Sequence, residues 1–577
     1  MLAQDGAGAA GRRLDDAMRA APAAPSAPAA PADPYSNVRA ADYVGPDACG
    51  ACHDDNHDRW SHSLHAAMNR RAGDPTPAGD PALRGDFDGA RVAYAGGVAA
   101  FDRDGDALTM TLTPARGAPR RFRVTRTIGS RYLQEYVGVA VDGPAAATDG
   151  RAATEIRLPF GWWVRRAAWY PQPYFDAWFD AEYDDAGVAT FDAFAPDPTP
   201  WASRCAWCHN TYPFEIKLAR AAAGGAVGHG PQQLVEVVPG AAGAGDGFGA
   251  ELDPVALGRD NLLPVDRLVT IGISCESCHL GGRAHAVDDE PIRFVPASPA
   301  LRPRADAPSL AGGRDNPVVI DAICAQCHST PAPRFPGGGA VRNSTEALDL
   351  LASACAPAIK CTDCHDPHTA GPGPGAADAP RHLAACVGCH DALAAPAAAR
   401  AHAHHPDGTV TCLDCHMPRI VQGVSAFVRT HRVARPVEPA MLAIGGPNAC
   451  NLCHLDRSLR WTLDALADGW GVRIAPEPAW LPYYAGSADA PVGPAWLGSP
   501  VRTYRILAAA AYARSPARRA ALPRLVAALD DPVAFARMWI LFAIEDALGR
   551  RLDVTEYDPL AAPAVRAAQA ARLQRRW

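Results

Sequence analysis

The amino-acid sequence predicts a mainly α and irregular fold that contains a small antiparallel β insert and ends in a segment of helices. Three observations predict it. The motif Cys-x-x-Cys-His occurs eight times, residues at about 87–145 alternate apolar with polar side chains, and regularly spaced prolines separate helical stripes after residue 499. The predicted organisation is a disordered Ala/Pro-rich leader or linker over 1–42, a motif-bearing domain over 43–470 and a helical domain over 471–577.

The repeated motif uses sixteen of the 17 cysteines. A zinc ribbon needs a second cysteine pair and does not require a histidine directly after it, whereas here the histidine follows every time. This regularity is typical of covalent haem c attachment, in which two thiols form thioethers and the adjacent histidine binds the iron; zinc sites and redox dithiols are the alternatives. The predicted attachment residues are Cys49, Cys52, Cys205, Cys208, Cys275, Cys278, Cys324, Cys327, Cys361, Cys364, Cys386, Cys389, Cys412, Cys415, Cys450 and Cys453. The predicted proximal ligands are His53, His209, His279, His328, His365, His390, His416 and His454.

Each of the eight irons has a sixth coordination position. A second histidine there gives a closed, low-spin centre suited to electron transfer, whereas an empty position lets a substrate bind. Nineteen histidines minus eight leaves eleven, so the count permits two histidines on every iron without requiring them. The best-placed extra histidines are His65, His285, His368, His431 and the cluster of His402, His404 and His405. Four others are equally well interpreted as surface or hydrogen-bonding residues: His57, His62, His229 and His382.

Composition limits the class of protein. Aromatic residues make up only 7% of 577 residues, with 51 glycines and 54 prolines, so large side chains for an ordinary core are few and eight porphyrins would supply apolar volume. The net charge of -7 and the lack of a basic stripe argue against nucleic-acid binding. No stretch approaches the length of a transmembrane helix; the apolar run at 538–544 is too short. Because haem c is attached outside the cytoplasm, we expect a periplasmic or extracellular protein, although no signal peptide is visible.

The β insert is predicted by alternation around an Asp-Gly turn at Asp104-Gly105, followed by Leu108, Met110 and Leu112 on one face. Residues 155–201 are rich in tryptophan and tyrosine. This segment is either a wall beside the second motif or a hydrophobic clamp between the β insert and the haem core.

The C-terminal prediction rests on three dipeptides spaced sixteen residues apart: Ser499-Pro500, Ser515-Pro516 and Asp531-Pro532. Each is typical of a helix N-cap followed by proline at the first helical position, and Gly549 is a plausible helix end. The pattern predicts HEAT-like helices over roughly 499–550. Such stacks bind a partner or cap a neighbouring domain, so we expect redox partner proteins to dock there.

Several motifs together resemble a known family. The stretch YVGPDACGACH with the following Trp60, Ser63 and Met68, and the later blocks CESCHLGGRAH, CTDCHDPHT, CLDCHMP and THRVARP, are similar to multihaem cytochromes related to the nitrifier tetrahaem cytochrome c. The resemblance covers about 43–470 and implies an octahaem c-type domain. Two features depart from the family: the repeats look HEAT-like rather than tetratricopeptide, and no Cys-x-x-Cys-Lys motif occurs. The distal ligands that the resemblance implies are His65, His285, His368, His431 and one or two of the 402–405 cluster, for which we choose His402 and His405.

Electron transfer along eight haems, mostly held by two histidines each, is the favoured function. The alternative is an oxidoreductase of nitrite, hydroxylamine or tetrathionate at one open haem, for which the second motif, CAWCHNTY, is the best candidate with Arg204 and Tyr212 nearby. Lysine ligation could come only from Lys217 or Lys360. A third hypothesis, a structural binding module, is not favoured because it leaves eight haems without a role.

Overall fold

The computed structural model describes residues 35–74, 83–142, 154–172, 194–225, 228–238, 247–369, 379–406 and 408–577. The predicted leader at 1–34 lies outside these residues, but its predicted end at residue 42 is wrong. Val38 is fully buried, and the Asn37 side chain bonds to the backbone of Val295 and Ala297 at 3.1 and 2.8 Å. These contacts tie 35–42 to the folded chain.

A nine-stranded antiparallel sheet forms the first large unit. Its strands, β1 to β9 in chain order, are Asn69–Arg71, Ala90–Tyr94, Gly97–Asp104, Ala107–Thr113, Arg120–Ile128, Leu133–Ala140, Ile156–Arg157, Phe160–Trp163 and Ala168–Pro171. The order is β2-β3-β4-β5-β6-β8-β9, while β1 pairs with β5 and β7 with β6. The predicted turn closes where Asp104 pairs with Ala107, and Leu108, Met110 and Leu112 are buried as the alternation requires. The predicted end at 145 is wrong, because Trp163 of β8 pairs with Leu133 of β6 and continues the sheet to Pro171.

The described part of the aromatic segment is a clamp: Trp201 packs with Val137 of the sheet and with Trp207 of the second motif, as one of the two interpretations predicts. Trp169 stacks on Phe101 inside the sheet, with ring centres 3.7 Å apart. Trp163 meets Phe542 of a C-terminal helix, edge to face at 5.3 Å. The clamp therefore also joins the sheet to the C-terminal helices; residues 173–193 lie outside the described ranges.

Short helices carry the motifs. None in the described part of 275–454 exceeds nine residues, as the dense spacing of motifs predicts. The helices of this domain are Pro46–Gly50, Asp54–Ser61, Trp201–Arg204, Ala206–His209, Glu215–Ala222, Pro254–Gly258, Cys275–His279, Arg283–Asp288, Pro317–Ala325, Glu346–Leu351, Cys361–Cys364, Ala379–Val387, Pro396–Ala403, Cys412–His416 and Pro439–Leu442.

The C-terminal region is helical, as predicted, but its first helix begins before residue 471, and the helices that follow the three dipeptides begin later than predicted. The helices of this region are Leu459–Trp470, Val492–Leu497, Arg502–Arg514, Leu522–Ala527, Ala534–Leu548 and Pro563–Gln574. Ser499, Ser515 and Asp531 accept hydrogen bonds from the backbone N–H two residues later, at 3.1, 3.2 and 3.0 Å. They therefore form side-chain turns that precede the helices, rather than N-caps. The helix end at Gly549 is confirmed, with φ +70°.

The helix Ala534–Leu548 is the centre of this region. Thirteen of its fifteen residues are buried, including the apolar run at 538–544. It packs against Arg502–Arg514 and, through Phe542, against the sheet. Within the described ranges, no helix has both the length and the apolar character needed to cross a membrane.

Candidate haem-binding site

Seven of the eight motifs line one continuous cavity of 3780 Å³. A pocket for a single drug-sized ligand is about 300–1,000 Å³, so this space suits several large groups rather than one. The chain thus leaves a connected cavity where an ordinary domain of this size would have a packed core. The first motif lies outside it, against the third.

Each motif folds into one turn. In the second, fourth and fifth, for example, the histidine N–H donates to the carbonyl of the first cysteine, at 3.2, 3.0 and 2.9 Å. Residues three and four apart lie on the same side of such a turn. Both thiols and the imidazole therefore sit together, which is the arrangement that two thioethers and an axial bond to one haem require.

The zinc alternative finds little support in the geometry. Nowhere in the described ranges do three His, Cys, Asp or Glu side chains gather closely enough to hold a metal ion by themselves. A structural zinc site needs four such ligands, so the motifs are not assembled as zinc knots.

Five predicted proximal histidines each face one predicted distal histidine. The rings are separated by 6.1–6.3 Å between centres, with interplanar angles of 8–32°. Two imidazoles bound end-on to one metal, at about 2.0 Å per bond, place their ring centres about 6 Å apart. The gap in each pair therefore fits one iron. The pairs are His53–His285, His279–His368, His365–His431, His416–His402 and His454–His405.

The remaining predicted distal histidine, His65, lies near His328 of the fourth motif. Burial, and then His328, lowers the pKa of His65 to about 4. A buried imidazole that stays neutral keeps the lone pair that a metal requires. All six predicted distal histidines thus lie next to a predicted proximal one.

Among the described residues, no second imidazole faces His209 or His390 in this way. Burial alone lowers the pKa of His209 to about 4, without a contribution from a charged neighbour. The nearby residues predicted for an open site are engaged elsewhere. Arg204 pairs with Asp197 at 3.8 Å, and the Tyr212 hydroxyl donates to the Trp207 carbonyl at 3.1 Å.

The two lysines considered as ligands have other partners. Lys217 donates to the side chain of Gln326, and burial lowers its pKa. Lys360 pairs with Asp363 at 3.5 Å. Neither contact places a lysine opposite a proximal histidine.

The 402–405 loop separates its histidines by backbone geometry. His402 lies in the last turn of the helix Pro396–Ala403 and faces the seventh motif, whereas His405 faces the eighth. Between them His404 adopts the left-handed conformation, with φ +54°. Its ring packs edge to face on Trp470 at 4.5 Å, and the Trp470 indole N–H donates to the His402 carbonyl at 2.9 Å. Sequence spacing alone could not distinguish the three.

Hydrogen bonds at the Nδ1 atom orient several imidazoles. The Nδ1 atoms of His285, His405 and His416 lie 2.9, 2.6 and 2.9 Å from backbone carbonyls. In His328, the Nδ1 atom instead lies 3.0 Å from a carboxylate oxygen of Glu346. An N–H donated from Nδ1 leaves Nε2 free to bind iron.

Three arginines, Arg419, Arg429 and Arg514, also line the cavity. Arg429 pairs with Asp414 at 2.7 Å. None of the ion pairs formed by the described residues includes Arg419 or Arg514. Burial, and then Arg419, lowers the pKa of Arg514 to about 10. Guanidinium groups of this kind pair well with carboxylates, so the donor set fits the propionates of haem. Sequence analysis did not identify these residues, since nothing marks them among 55 basic positions.

A protein-family model supports the assignment of two of the motifs. A family model described as a doubled CXXCH motif matches residues 356–395, which hold the fifth and sixth motifs. The outer cell wall cytochrome OcwA aligns with 92% of this chain and 100% of its own, at 17% identity and a TM-score of 0.36. The undecaheme cytochrome from the S-layer of Carboxydothermus ferrireducens aligns with 89% of this chain and 70% of its own, at 14% identity and a TM-score of 0.30. No curated protein matches the chain.

Proposed function

We propose that this chain, a multihaem c-type cytochrome by its doubled Cys-x-x-Cys-His motif, carries eight haem groups and transfers electrons between partner proteins. The observation that carries the proposal is the set of five histidine pairs with ring centres 6.1–6.3 Å apart. Haem iron held by two imidazoles accepts and releases electrons without binding a substrate. In this proposal the sixteen cysteines hold the porphyrins, and the facing histidines keep the irons closed.

Contacts between motifs support a relay. Cysteines of different motifs lie close together: Cys49 is near Cys275, and Cys324 is near Cys361. Burial, and then a nearby thiol of the following motif, raises the pKa of Cys278, Cys364, Cys386 and Cys415. These thiols place the third motif near the fourth, the fifth near the sixth, the sixth near the seventh and the seventh near the eighth. The second motif joins the fourth through Cys208 and Cys327. We infer the order first, third, fourth, fifth, sixth, seventh, eighth, with the second as a side branch at the fourth.

The loop at 402–405 provides a matched test of ligation. We expect His402→Ala to convert one haem from low spin to high spin while all haems stay attached, because His402 faces His416 across a gap of iron size. His404→Ala is the control, since His404 packs on Trp470. Electron paramagnetic resonance of the oxidised variants makes the comparison. Equal spectra for the two variants would contradict the assignment of His402.

Reduction or oxidation of a small nitrogen or sulfur compound is the second candidate. The observation that favours it is His209, a buried proximal histidine that no other imidazole faces among the described residues. An electron paramagnetic resonance spectrum of the oxidised protein, repeated with nitrite and with hydroxylamine, tests it. A high-spin signal that shifts with either compound supports an open iron, and low-spin signals unmoved by both support a carrier only.

We further propose that the protein works in the periplasm or outside the cell, where haem c is attached.

We also propose that redox partners dock on the C-terminal helices, whose HEAT-like class stays a prediction. Docking is supported indirectly, because the helix Pro563–Gln574 exposes most of its residues. Binding of a partner should weaken when that helix is removed, while haem content stays the same. Undiminished electron exchange would argue against docking there.

A further inference from the structure

The fourth motif is where the other motifs meet. Gln326, inside this motif, donates from Nε2 to the carbonyl of Ser277 in the third motif at 3.2 Å. Its Oε1 accepts from Lys217, and its carbonyl lies 4.0 Å from the Cys208 sulfur of the second motif. Gln326 of the fourth motif therefore contacts both the third motif and the second.

The same helix reaches the fifth motif. Asp321, one turn before Cys324, accepts a hydrogen bond from the Cys361 backbone N–H at 2.9 Å. Together with the contact between the Cys324 and Cys361 thiols, this fixes the fifth motif against the fourth. The fourth motif is thus in contact with the second, third and fifth, and we call it the junction.

The proximal histidine of the junction is held differently from the others. Glu346, the first residue of the helix Glu346–Leu351, places Oε2 3.0 Å from Nδ1 of His328. Its Oε1 accepts from the Ser344 backbone N–H at 2.9 Å, and the Ala347 N–H donates to the His328 carbonyl at 3.0 Å. The carboxylate is therefore fixed at both oxygens, and His328 is held at its ring and at its backbone.

A carboxylate acceptor changes the ligand more than a carbonyl does. A hydrogen bond from Nδ1, the ring nitrogen that does not bind the metal, to a carboxylate gives the imidazole more negative character. The imidazole then becomes a stronger electron donor to the metal. That donation stabilises the oxidised iron relative to the reduced iron. The backbone carbonyls that face Nδ1 of His285, His405 and His416 carry no net charge and act more weakly.

We propose that Glu346 is a positioning residue that lowers the reduction potential of the junction haem below those of the haems whose histidines bond to carbonyls. The proposal rests on the proposed function, since it requires His328 to bind haem iron. The residues of this chain are then sufficient to give the junction haem a reduction potential different from those of the other haems.

Glu346→Gln tests the proposal, because glutamine keeps the size of the side chain and a neutral acceptor but removes the charge. We expect one component of a spectroelectrochemical titration to move to higher potential, and one low-spin electron paramagnetic resonance signal to change its g values. Haem content and the other components should stay unchanged. Asp366→Asn is the matched control: Asp366 Oδ1 lies 3.3 Å from Nδ1 of His368 but accepts its hydrogen bond from the His368 backbone N–H, at 3.0 Å, and Asp366 pairs with Arg59 at 3.3 Å.

If no component of the titration changes its reduction potential in Glu346→Gln while all haems stay attached, the proposal is overturned and the proposed function is left intact. An equal shift in Asp366→Asn also overturns it, because the effect would then be general electrostatics. If Glu346→Gln does not fold, Glu346→Asp retains the charge on a shorter side chain and should give a smaller shift in the same direction; no shift there overturns the proposal. Fewer than eight haems in the unmodified protein would instead contradict the proposed function.

Discussion

Replacement of Arg166 by alanine is expected to lower the free energy of unfolding by roughly 3–5 kcal/mol, the cost of breaking a buried ion pair from one side. The Arg166 side chain is 8% exposed and its partner Glu545 is 1% exposed. Arg166 also donates to the Leu552 carbonyl at 3.3 Å. Without the guanidinium, the Glu545 carboxylate would remain buried at the joint between the sheet and the C-terminal helices, with a backbone N–H as its remaining partner.

The neighbouring Arg165 provides the control. It pairs with Asp546 at 2.5 Å, but the two side chains are 33% and 55% exposed, so solvent screens the pair. Its replacement by alanine should cost no more than about 1 kcal/mol. Denaturant titrations followed by circular dichroism compare the two variants. Equal midpoints would show that the joint does not depend on the buried pair.

The second large effect is expected at the junction. Replacing Cys324 and Cys327 by serine should remove one haem, because no thiol remains to form a thioether. It should also divide the relay, since the fourth motif is the one that contacts the second, third and fifth. We expect haem content to fall from eight to seven, and the current through a protein film to fall towards background.

The matched control replaces Cys450 and Cys453, which lie in the last motif of the inferred order. This variant should also lose one haem but keep seven in contact, so most of the current should remain. Pyridine haemochrome assays measure the haem content of both. Equal losses of current would show that the order of the motifs is wrong.

The sequence was sufficient to identify the distal candidates but not to pair them. His285 lies six residues after His279, yet its ring faces His53; His368 follows His365, yet it faces His279. Spacing along the chain gives proximity to a motif, whereas pairing depends on how separate short helices pack. Whether these pairs hold iron stays a prediction.

Long-range packing also explains the other differences. Alternation predicted the strands on either side of Asp104-Gly105, β3 and β4, but β8 and β9 are too short and too aromatic to show a period. The start of the helix Ala534–Leu548 was misplaced because Asp531 closes a turn that resembles a cap in sequence. Arg514 could not be selected, because its position in the cavity depends on the packing of the helix Arg502–Arg514, which lies well beyond the eighth motif in sequence.

The left-handed residue His404 has a consequence for how this chain can change over time. Two histidines that serve different motifs are separated by two positions, and the backbone reversal between them sets the direction of each. A single inserted or deleted residue within 402–405 would redirect both rings at once. We therefore expect this loop to keep its length among homologues even where its sequence varies, in contrast to the loops of the sheet.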